Sequence, residues 1–335
     1  MRHTNISISG RTIAMPSVSL GTVWFGTKMD KKVGRSQLDY YLEMGGTWLD
    51  TARVYGLEIF NPENTLPHYE DSEAVVGQWL RDSGARDHVT LITKGGHRRT
   101  TLGNKSNLHE SVIRQDIERS LRTLGVDFVD IYFLHSDDEN IPVAEVMPVL
   151  HELVQSGKTR TLGASNWSAE RIIEANAFAV ANGLTPFGIT QVRWSYAIPP
   201  ESSINGRRDI ETDASQYKIY RGLNFPIMAY SSQSKGFFIK TASNGFSPES
   251  LGRAVEFLSE ENIARAKTIH RLAAEEGVAA SAMAFAYLWG KETPVTAMVG
   301  CQCLEDLKVS LTDCDYIPSE RVIAALEASQ HTNKY

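Results

Sequence analysis

Four polar residues stand where short apolar runs of the sequence end. Asp50 closes one such run, and Lys94 and His135 each follow directly after another. Tyr55 comes five residues after Asp50, within the segment GGTWLDTARVY. If those runs are neighbouring parallel strands, their carboxyl ends meet at one edge, and the four side chains form one site.

The four residue types together suit proton transfer to a carbonyl oxygen. A free phenol has a pKa of about 10, so it donates a proton reluctantly unless a cation stabilises its anion. Lys94 can supply that charge, and Asp50 can keep a buried ammonium protonated. His135 adds a second donor for an oxygen that gains negative charge. The set therefore predicts a relay from Asp50 through Lys94 to Tyr55, and it indicates carbonyl reduction.

The elements that must position these residues alternate along the chain. Short β-rich runs are followed by amphipathic segments, a pattern typical of βα units on a parallel sheet. The N-terminal section to residue 16 predicts a hairpin with its turn at Ser9-Gly10, and the last helix is predicted at 319–329. Eight strands are predicted at 18–22, 47–50, 89–93, 129–134, 159–163, 188–192, 226–230 and 295–300.

The predicted fold is α/β, a (β/α)8 TIM barrel in a single domain of residues 1–335. A hairpin would close its floor, and no Pro-, Gly- or Ser-rich linker divides the chain. The predicted first helix is 36–44. Three stretches are predicted to be long loops, namely 56–69, 193–224 and 231–256, and the second holds at most one helix, at about 213–221. Loops of such length are usually functional.

Composition excludes several classes of function. With 34 Lys and Arg against 40 Asp and Glu, the net charge of −6 gives no attraction for nucleic acid. No segment has the length of a signal peptide or a membrane span, so we expect a cytoplasmic protein without a membrane partner. Cys301, Cys303 and Cys314 form neither a disulfide framework nor a set of metal ligands, and no metal is expected.

The chain resembles the aldo-keto reductase superfamily over nearly its whole length. Asp50, Tyr55, Lys94 and His135 match the catalytic tetrad of that family in order. The likeness extends through GASNWS at 163–168, Gln191 and MAYSS at 228–232. The resemblance implies a (β/α)8 barrel that reduces an aldehyde or ketone to an alcohol, or catalyses the reverse, with Tyr55 as general acid or base.

The resemblance also implies NADP or NAD as cofactor, extended across the mouth of the barrel. A Rossmann site is not predicted, because the sequence has no Gly-x-Gly-x-x-Gly after its first strand. By position in the family, Ser165, Asn166 and Gln191 would bind the carboxamide, and Tyr230 would stack on the nicotinamide ring. The other residues of the implied cofactor site are Gly21, Thr22, Ser231, Gln233, Ser234, Lys235, Gly236, Gly300, Gln302 and Asp306.

The sequence departs from the family where a basic residue usually binds the 2′-phosphate of NADP. The segment 300–306 reads GCQCLED, and Lys308 is the first basic residue after it. Gln302 brings no charge, and Asp306 would repel a phosphate but could accept a hydrogen bond from a ribose hydroxyl. NADP and NAD therefore both remain open.

The sequence gives the fewest signals for the substrate and for the assembly in which the protein works. Trp24, Phe25, Trp194 and Tyr196 predict an aromatic wall, and Asp137 with Asp138 could grip the hydroxyls of a sugar-type carbonyl. The two aspartates could equally be solvated loop charges. An alternative function is a nucleotide-binding, redox-sensing subunit of a larger assembly, whereas a hydrolase lacks a partner acid for Asp50. The protein could be a monomer or a homo-oligomer.

Overall fold

The computed structural model of the chain describes residues 1–56, 70–97, 108–200 and 214–331. Eight parallel strands form a closed barrel, in which β3 to β9 follow in chain order and β10 lies between β9 and β3. The barrel strands are β3 (Val18–Gly21), β4 (Trp48–Asp50), β5 (Thr90–Gly95), β6 (Val129–Leu134), β7 (Thr159–Ser165), β8 (Phe187–Arg193), β9 (Ile227–Tyr230) and β10 (Val295–Val299). The predicted (β/α)8 barrel is confirmed.

The barrel strands are buried on both faces, because side chains fill the interior and helices cover the outside. Every residue of β4 and β6 is buried. The interior cluster contains Trp48, Ile131 and Phe133, so the barrel is a packed core rather than a channel. Polar side chains can therefore form a site only where the strands end.

The predicted N-terminal hairpin is also confirmed. It consists of β1 (His3–Ile8) and β2 (Arg11–Pro16), joined at Ser9 and Gly10, which have φ of 50° and 73°. Ile6, Ile8 and Met15 pack into the barrel's interior cluster. The hairpin thus seals the floor and leaves the opposite end of the barrel for function.

Helices follow most strands and cover the barrel. They are α1 (Lys31–Glu43), α2 (Ser72–Ser83), α3 (Glu110–Leu124), α4 (Val143–Gln155), α5 (Ala169–Ala181), α6 (Ala214–Gly222), α7 (Phe237–Asn244), α8 (Pro248–Leu251), α9 (Glu260–Glu276), α10 (Ala280–Trp289), α11 (Leu304–Leu311) and α12 (Glu320–His331). Within the described ranges, no helix has the length and apolarity needed to cross a membrane.

Two sequence predictions about these elements were wrong. Helix α1 begins at Lys31 rather than at residue 36, because the Asp30 carboxylate accepts a hydrogen bond from the Lys32 amide at 2.7 Å and caps the helix. The stretch 231–256 is not a plain loop, since it contains α7 and α8 and two 3-10 turns. The predicted loop at 56–69 falls almost entirely on residues outside the described ranges, as does part of 193–224.

A buried ionic cluster lies between β5 and helices α2 and α3. Arg53 Nε is 3.6 Å from Asp116 Oδ1, and Asp116 Oδ2 accepts a hydrogen bond from the Gly96 amide at 2.9 Å. Glu73 accepts a hydrogen bond from Thr93 Oγ1 at 2.5 Å. The cluster therefore connects the segment after β4 to the segment after β5, which are the two that carry Tyr55 and Lys94.

Glu73 should make folding stability depend on pH. Burial raises its pKa from 4.5 to about 7, although the hydrogen bond from Thr93 and the charge of Arg53 limit the rise. The unfolded chain therefore loses this proton first, and the stabilisation present below pH 4.5 is lost as the pH rises to about 7. We expect Glu73→Gln to remove this loss and to gain roughly 3 kcal/mol relative to wild type between those pH values.

Urea unfolding at pH 4.5 and pH 7.5 measures the effect. Glu145→Gln on α4 alters an exposed glutamate and controls for surface charge. An equal change in unfolding free energy between the two pH values in wild type and Glu73→Gln would contradict the assignment.

Candidate active site

The strands bring three of the four predicted catalytic residues to one end of the barrel. Asp50 is the last residue of β4 and Lys94 is the next-to-last of β5, while His135 directly follows β6. The parallel register pairs Asp50 with Ile92 and Lys94 with Phe133, so the three neighbouring strands end at similar heights. Their side chains therefore share the mouth of the barrel.

The centre of the site is the ammonium of Lys94. Nζ donates to Asp50 Oδ2 at 2.5 Å, to the Thr51 carbonyl at 2.8 Å and to Tyr55 Oη at 3.3 Å. The side chains of Lys94 and Asp50 are both 0% exposed. Three acceptors around a buried ammonium satisfy its three N–H groups.

The charges of this pair follow from those contacts. Burial alone would lower the pKa of Lys94, but the nearby oxygens of Asp50 and Tyr55 outweigh it and raise the pKa above 10.5. Burial raises the pKa of the Asp50 carboxyl, and the charge and hydrogen bond of Lys94 oppose that rise. Since the carboxylate accepts hydrogen bonds at both oxygens, we assign the pair as ammonium and carboxylate.

A tight turn places the phenol of Tyr55. The Arg53 amide donates to the Lys94 carbonyl at 3.0 Å, and the Tyr55 amide donates to the Ala52 carbonyl at 3.0 Å. The Tyr55 carbonyl in turn accepts from the Ser72 amide at 3.0 Å, at the start of α2. The turn is therefore tied to β5 on one side and to α2 on the other, and it holds the phenol beside Lys94.

Two histidine rings pack in a row beside Tyr55. The rings of Tyr55 and His135 lie edge to face with centroids 5.6 Å apart, and His97 packs edge to face on His135 with centroids 4.7 Å apart. The His135 amide donates to the Gly95 carbonyl at 2.8 Å. His97 was not predicted to be part of the site, although its position three residues after Lys94 could have indicated it.

Asn166 connects the ends of β6, β7 and β9. Its Nδ2 donates to the His135 carbonyl and to Ser165 Oγ, both at 3.1 Å, and its Oδ1 accepts from Tyr230 Oη at 2.8 Å. Asn166 has a φ of 60°, a left-handed conformation that asparagine tolerates. The structure thus brings the predicted residues Ser165, Asn166 and Tyr230 together beside His135.

Gln191 is buried in the barrel interior. Its side-chain amide nitrogen has a partner that was not predicted from the sequence. Nε2 donates to Asp50 Oδ1 at 2.9 Å. The side-chain nitrogen is therefore used by the tetrad, and only Oε1 is left to meet a carboxamide.

The segment after β9 has an unusual backbone. Ser231, Ser234, Lys235 and Gly236 have φ of 55°, 50°, 58° and 80°. The Ser234 amide donates to the Ser231 carbonyl at 2.9 Å, and the Gly236 amide donates to the Gln233 carbonyl at 2.8 Å. Gln233 Nε2 is buried without a hydrogen-bond partner in the described part of the chain, while its Oε1 accepts from Ser310 Oγ at 3.1 Å. This buried side-chain donor suits a phosphate oxygen.

Two side chains of this segment have protein partners. Lys235 forms an ion pair with Glu256, and Ser234 Oγ is 2.9 Å from Ser195 Oγ. The Ser234 hydroxyl is buried and turned towards Ser195. The lysine remains part exposed at the surface.

The other end of the predicted cofactor site lies at the start of α11. Gly300, Gln302 and Asp306 are exposed, and Cys303 caps the helix by accepting from the Asp306 amide at 3.4 Å. Lys308 pairs with Glu305 at 3.3 Å. The exposed groups near the predicted 2′-phosphate position are thus an amide, a thiol and a carboxylate.

The hydroxyl of the predicted cofactor residue Thr22 has protein partners. It lies 2.7 Å from Ser72 Oγ and 3.1 Å from the Asp50 carbonyl, and the residue is fully buried. Gly21 lies beside β10, where an added Cβ would be 3.3 Å from Met298 Sδ. The Thr22 hydroxyl therefore joins the end of β4 to the start of α2.

Most of the predicted substrate residues are buried elsewhere. Trp194 is 1% exposed and packs on Tyr217 and Tyr287 in the helical layer, and Phe25 and Tyr196 are also core residues. Trp24 alone of the predicted aromatic wall is half-buried, with the Arg253 guanidinium carbon 4.7 Å from its ring centroid.

The predicted substrate acid Asp137 is also buried. It is 6% exposed, and its Oδ2 lies 3.6 Å from Arg171 Nε. Burial raises its pKa to about 6, against the effect of the Arg171 charge. Asp138 accepts hydrogen bonds from Asn140 at 3.0 Å and 2.8 Å, so it shapes its own loop.

Several known proteins have sequences similar to this chain. A norsolorinic acid reductase of Aspergillus flavus is 28% identical over 326 residues, which are 95% of this chain and 77% of the relative. A putative aryl-alcohol dehydrogenase of Saccharomyces cerevisiae is 28% identical over 313 residues, 89% of this chain and 77% of the relative. An aldo-keto reductase of Emericella nidulans is 27% identical over 332 residues, 94% of this chain and 77% of the relative.

The aldo/keto reductase family profile matches residues 17–330, which include the whole barrel and every residue of the site. The resemblance found in the sequence is therefore confirmed. Barrel, tetrad order and family match together lead to one conclusion: this chain belongs to the aldo/keto reductase family, a family of oxidoreductases.

Proposed function

We propose that the protein is a nicotinamide-dependent reductase of aldehydes or ketones in which Tyr55 is the general acid. The single observation that carries this proposal is the contact of Lys94 Nζ with both Asp50 Oδ2 and Tyr55 Oη, at 2.5 Å and 3.3 Å. An ammonium at that distance from a phenol stabilises the phenolate and makes the phenol a better proton donor.

Each of the four side chains has its own role in the proposed reaction. Tyr55 gives its proton to the carbonyl oxygen of the substrate as that oxygen becomes an alkoxide. Lys94 stabilises the phenolate that remains, and Asp50 keeps the ammonium charged. His135, whose ring lies edge to face with Tyr55, donates a hydrogen bond to the same oxygen. In the reverse direction Tyr55 takes the proton back.

A nicotinamide cofactor, when bound, supplies the hydride that no side chain can donate. The carboxamide would be held by Gln191 Oε1 and by Ser165 and Asn166, and the Tyr230 ring would pack against the nicotinamide. The backbone of 231–236 and Gln233 Nε2 would bind the diphosphate. Lys235, Gly300, Gln302 and Asp306 would form the outer contacts.

The proposed substrate is an aryl aldehyde or aryl ketone. The sugar-type substrate favoured from sequence depended on Asp137 and Asp138, and the structure gives both of them protein partners. The half-buried rings of Trp24, Tyr55 and His97 remain near the mouth and suit an aromatic group. The name of one relative, a putative aryl-alcohol dehydrogenase, supports the same class.

Tyr55→Phe tests the general acid. We expect kcat to fall by about 10²- to 10⁴-fold, because the proton donor is lost, while the fluorescence-detected Kd for NADPH or NADH stays within about twofold. Tyr40→Phe on α1, which removes a half-buried phenol far from the tetrad, controls for loss of a hydroxyl as such.

Near-normal turnover by Tyr55→Phe would remove Tyr55 from this role. Nucleotide binding by wild type without turnover of any carbonyl would instead favour the redox-sensing subunit.

Lys235→Gln tests the phosphate contact. If Lys235 leaves Glu256 to bind the diphosphate, the substitution should raise Kd for NADPH and NADH by a similar factor, about tenfold, because both carry that group. Lys267→Gln, an exposed lysine on α9, is the control. A larger loss for NADPH alone would place Lys235 at the 2′-phosphate instead, and no loss for either would remove it from the cofactor site.

Substrate class is measured with matched carbonyl panels read at the nicotinamide absorbance. We expect kcat/KM for benzaldehydes and aryl ketones to exceed that for aldoses at least about tenfold, because an aryl ring buries apolar area against the half-buried rings at the mouth. Equal or higher kcat/KM for aldoses would return the sugar-type substrate to first place.

A further inference from the structure

Gln191 makes the longest-range contact of the tetrad. It lies on β8, 141 positions along the chain from Asp50 on β4, and its Nε2 reaches Asp50 Oδ1 at 2.9 Å across the barrel interior. Both residues are buried, Gln191 with 2% of its surface exposed and Asp50 with none. A contact formed by two buried side chains on non-adjacent strands is fixed by the barrel itself.

The orientation of the Gln191 amide follows from its partner. An ionised carboxylate only accepts hydrogen bonds, so the atom that faces Asp50 must be the NH₂ nitrogen. The same nitrogen lies 3.8 Å from Met228 Sδ, a weak acceptor. Gln191 Oε1 has no hydrogen-bond partner among the described residues, and it is free to accept from a ligand at the mouth.

Asp50 is therefore held at both oxygens. Lys94 donates to Oδ2 and Gln191 donates to Oδ1, and no water of the bulk solvent reaches this fully buried group. Losing one donor leaves a buried carboxylate oxygen unsatisfied, which favours the protonated acid. A protonated Asp50 no longer supports the charge of Lys94.

The main chain of Gln191 also takes part in the site. Its carbonyl accepts from the Asn166 amide at 3.1 Å, and in the sheet register Gln191 pairs with Ser165. The backbone of Gln191 thus positions the residues proposed for the carboxamide, while its side chain positions Asp50.

We propose that Gln191 is a positioning residue of the proton relay, which acts through Asp50 and keeps that carboxylate ionised beside Lys94. This role rests on the proposed function and goes beyond the carboxamide contact that family resemblance implies. A glutamine that served only the cofactor would change cofactor affinity and leave the ionisation of Asp50 as it was.

The test replaces Gln191 by methionine, which keeps the length and removes the N–H donor. With cofactor and substrate saturating, we expect kcat to fall on the acid side of the profile, by about tenfold at pH values where wild-type activity is already declining. The acid limb of the kcat profile should move up by about one pH unit, because Asp50 now takes its proton at higher pH. Gln233→Met makes the same change at a glutamine that does not contact Asp50. It should raise the cofactor Kd and leave the acid limb where wild type has it.

A second variant and a second readout separate the possible outcomes. Gln191→Glu keeps the size and adds a carboxyl beside Asp50, so it should move the limb further in the same direction through like-charge repulsion. The Asp50 carboxyl signal, assigned with Asp50→Asn and followed by ¹³C NMR, should titrate at higher pH in both variants without any substrate present.

An unchanged Asp50 titration in Gln191→Met and Gln191→Glu would overturn the proposal, whatever the activity. So would a raised cofactor Kd with an unmoved acid limb. If wild type turns over no carbonyl at all, the proposed function fails, and the NMR titration still decides whether Gln191 controls Asp50.

Discussion

The buried ammonium of Lys94 is the interaction on which the rest of the site depends. A charge without solvent contact is costly unless every donor is satisfied, and here three oxygens from three different residues do so. Because those oxygens belong to β4 and to the turn after it, the ends of β4 and β5 must keep a fixed distance. The closed barrel supplies that rigidity, and it holds the phenol oxygen of Tyr55 at 3.3 Å from the ammonium.

Two further sets of contacts, one inside the barrel and one outside it, fix the positions of the residues around the ammonium. Inside the barrel, Gln191 fixes the second oxygen of Asp50. Outside it, Arg53 and Asp116 join the Tyr55 turn to the Gly96 amide after Lys94. The segment after β9 differs from this rigid centre, because several of its residues have left-handed backbone conformations. The proposed chemistry and the proposed cofactor contacts thus lie in structurally different parts of the mouth.

Some features were predictable because they depend on local pattern. The strand ends that carry Asp50, Lys94 and His135 are marked by apolar runs, and the barrel and hairpin follow from their number and alternation. The start of helix α1 was predicted too late in the chain, because Asp30 was not recognised as its N-cap. Trp194 was predicted to line the mouth because it follows a strand end, and a position after a strand end does not determine the direction in which the side chain points.

The sequence by itself determined the succession of strands along the chain, the positions of Asp50, Lys94 and His135 at the ends of three of them, and the family to which the chain belongs. Only the tertiary structure decided the partners: Gln191 with Asp50, Asp137 with Arg171, and His97 with His135. The physical reason is that local pattern encodes burial and secondary structure. Which buried polar group meets which is set by closure of the barrel and by the packing of side chains, and these bring together residues far apart in the chain.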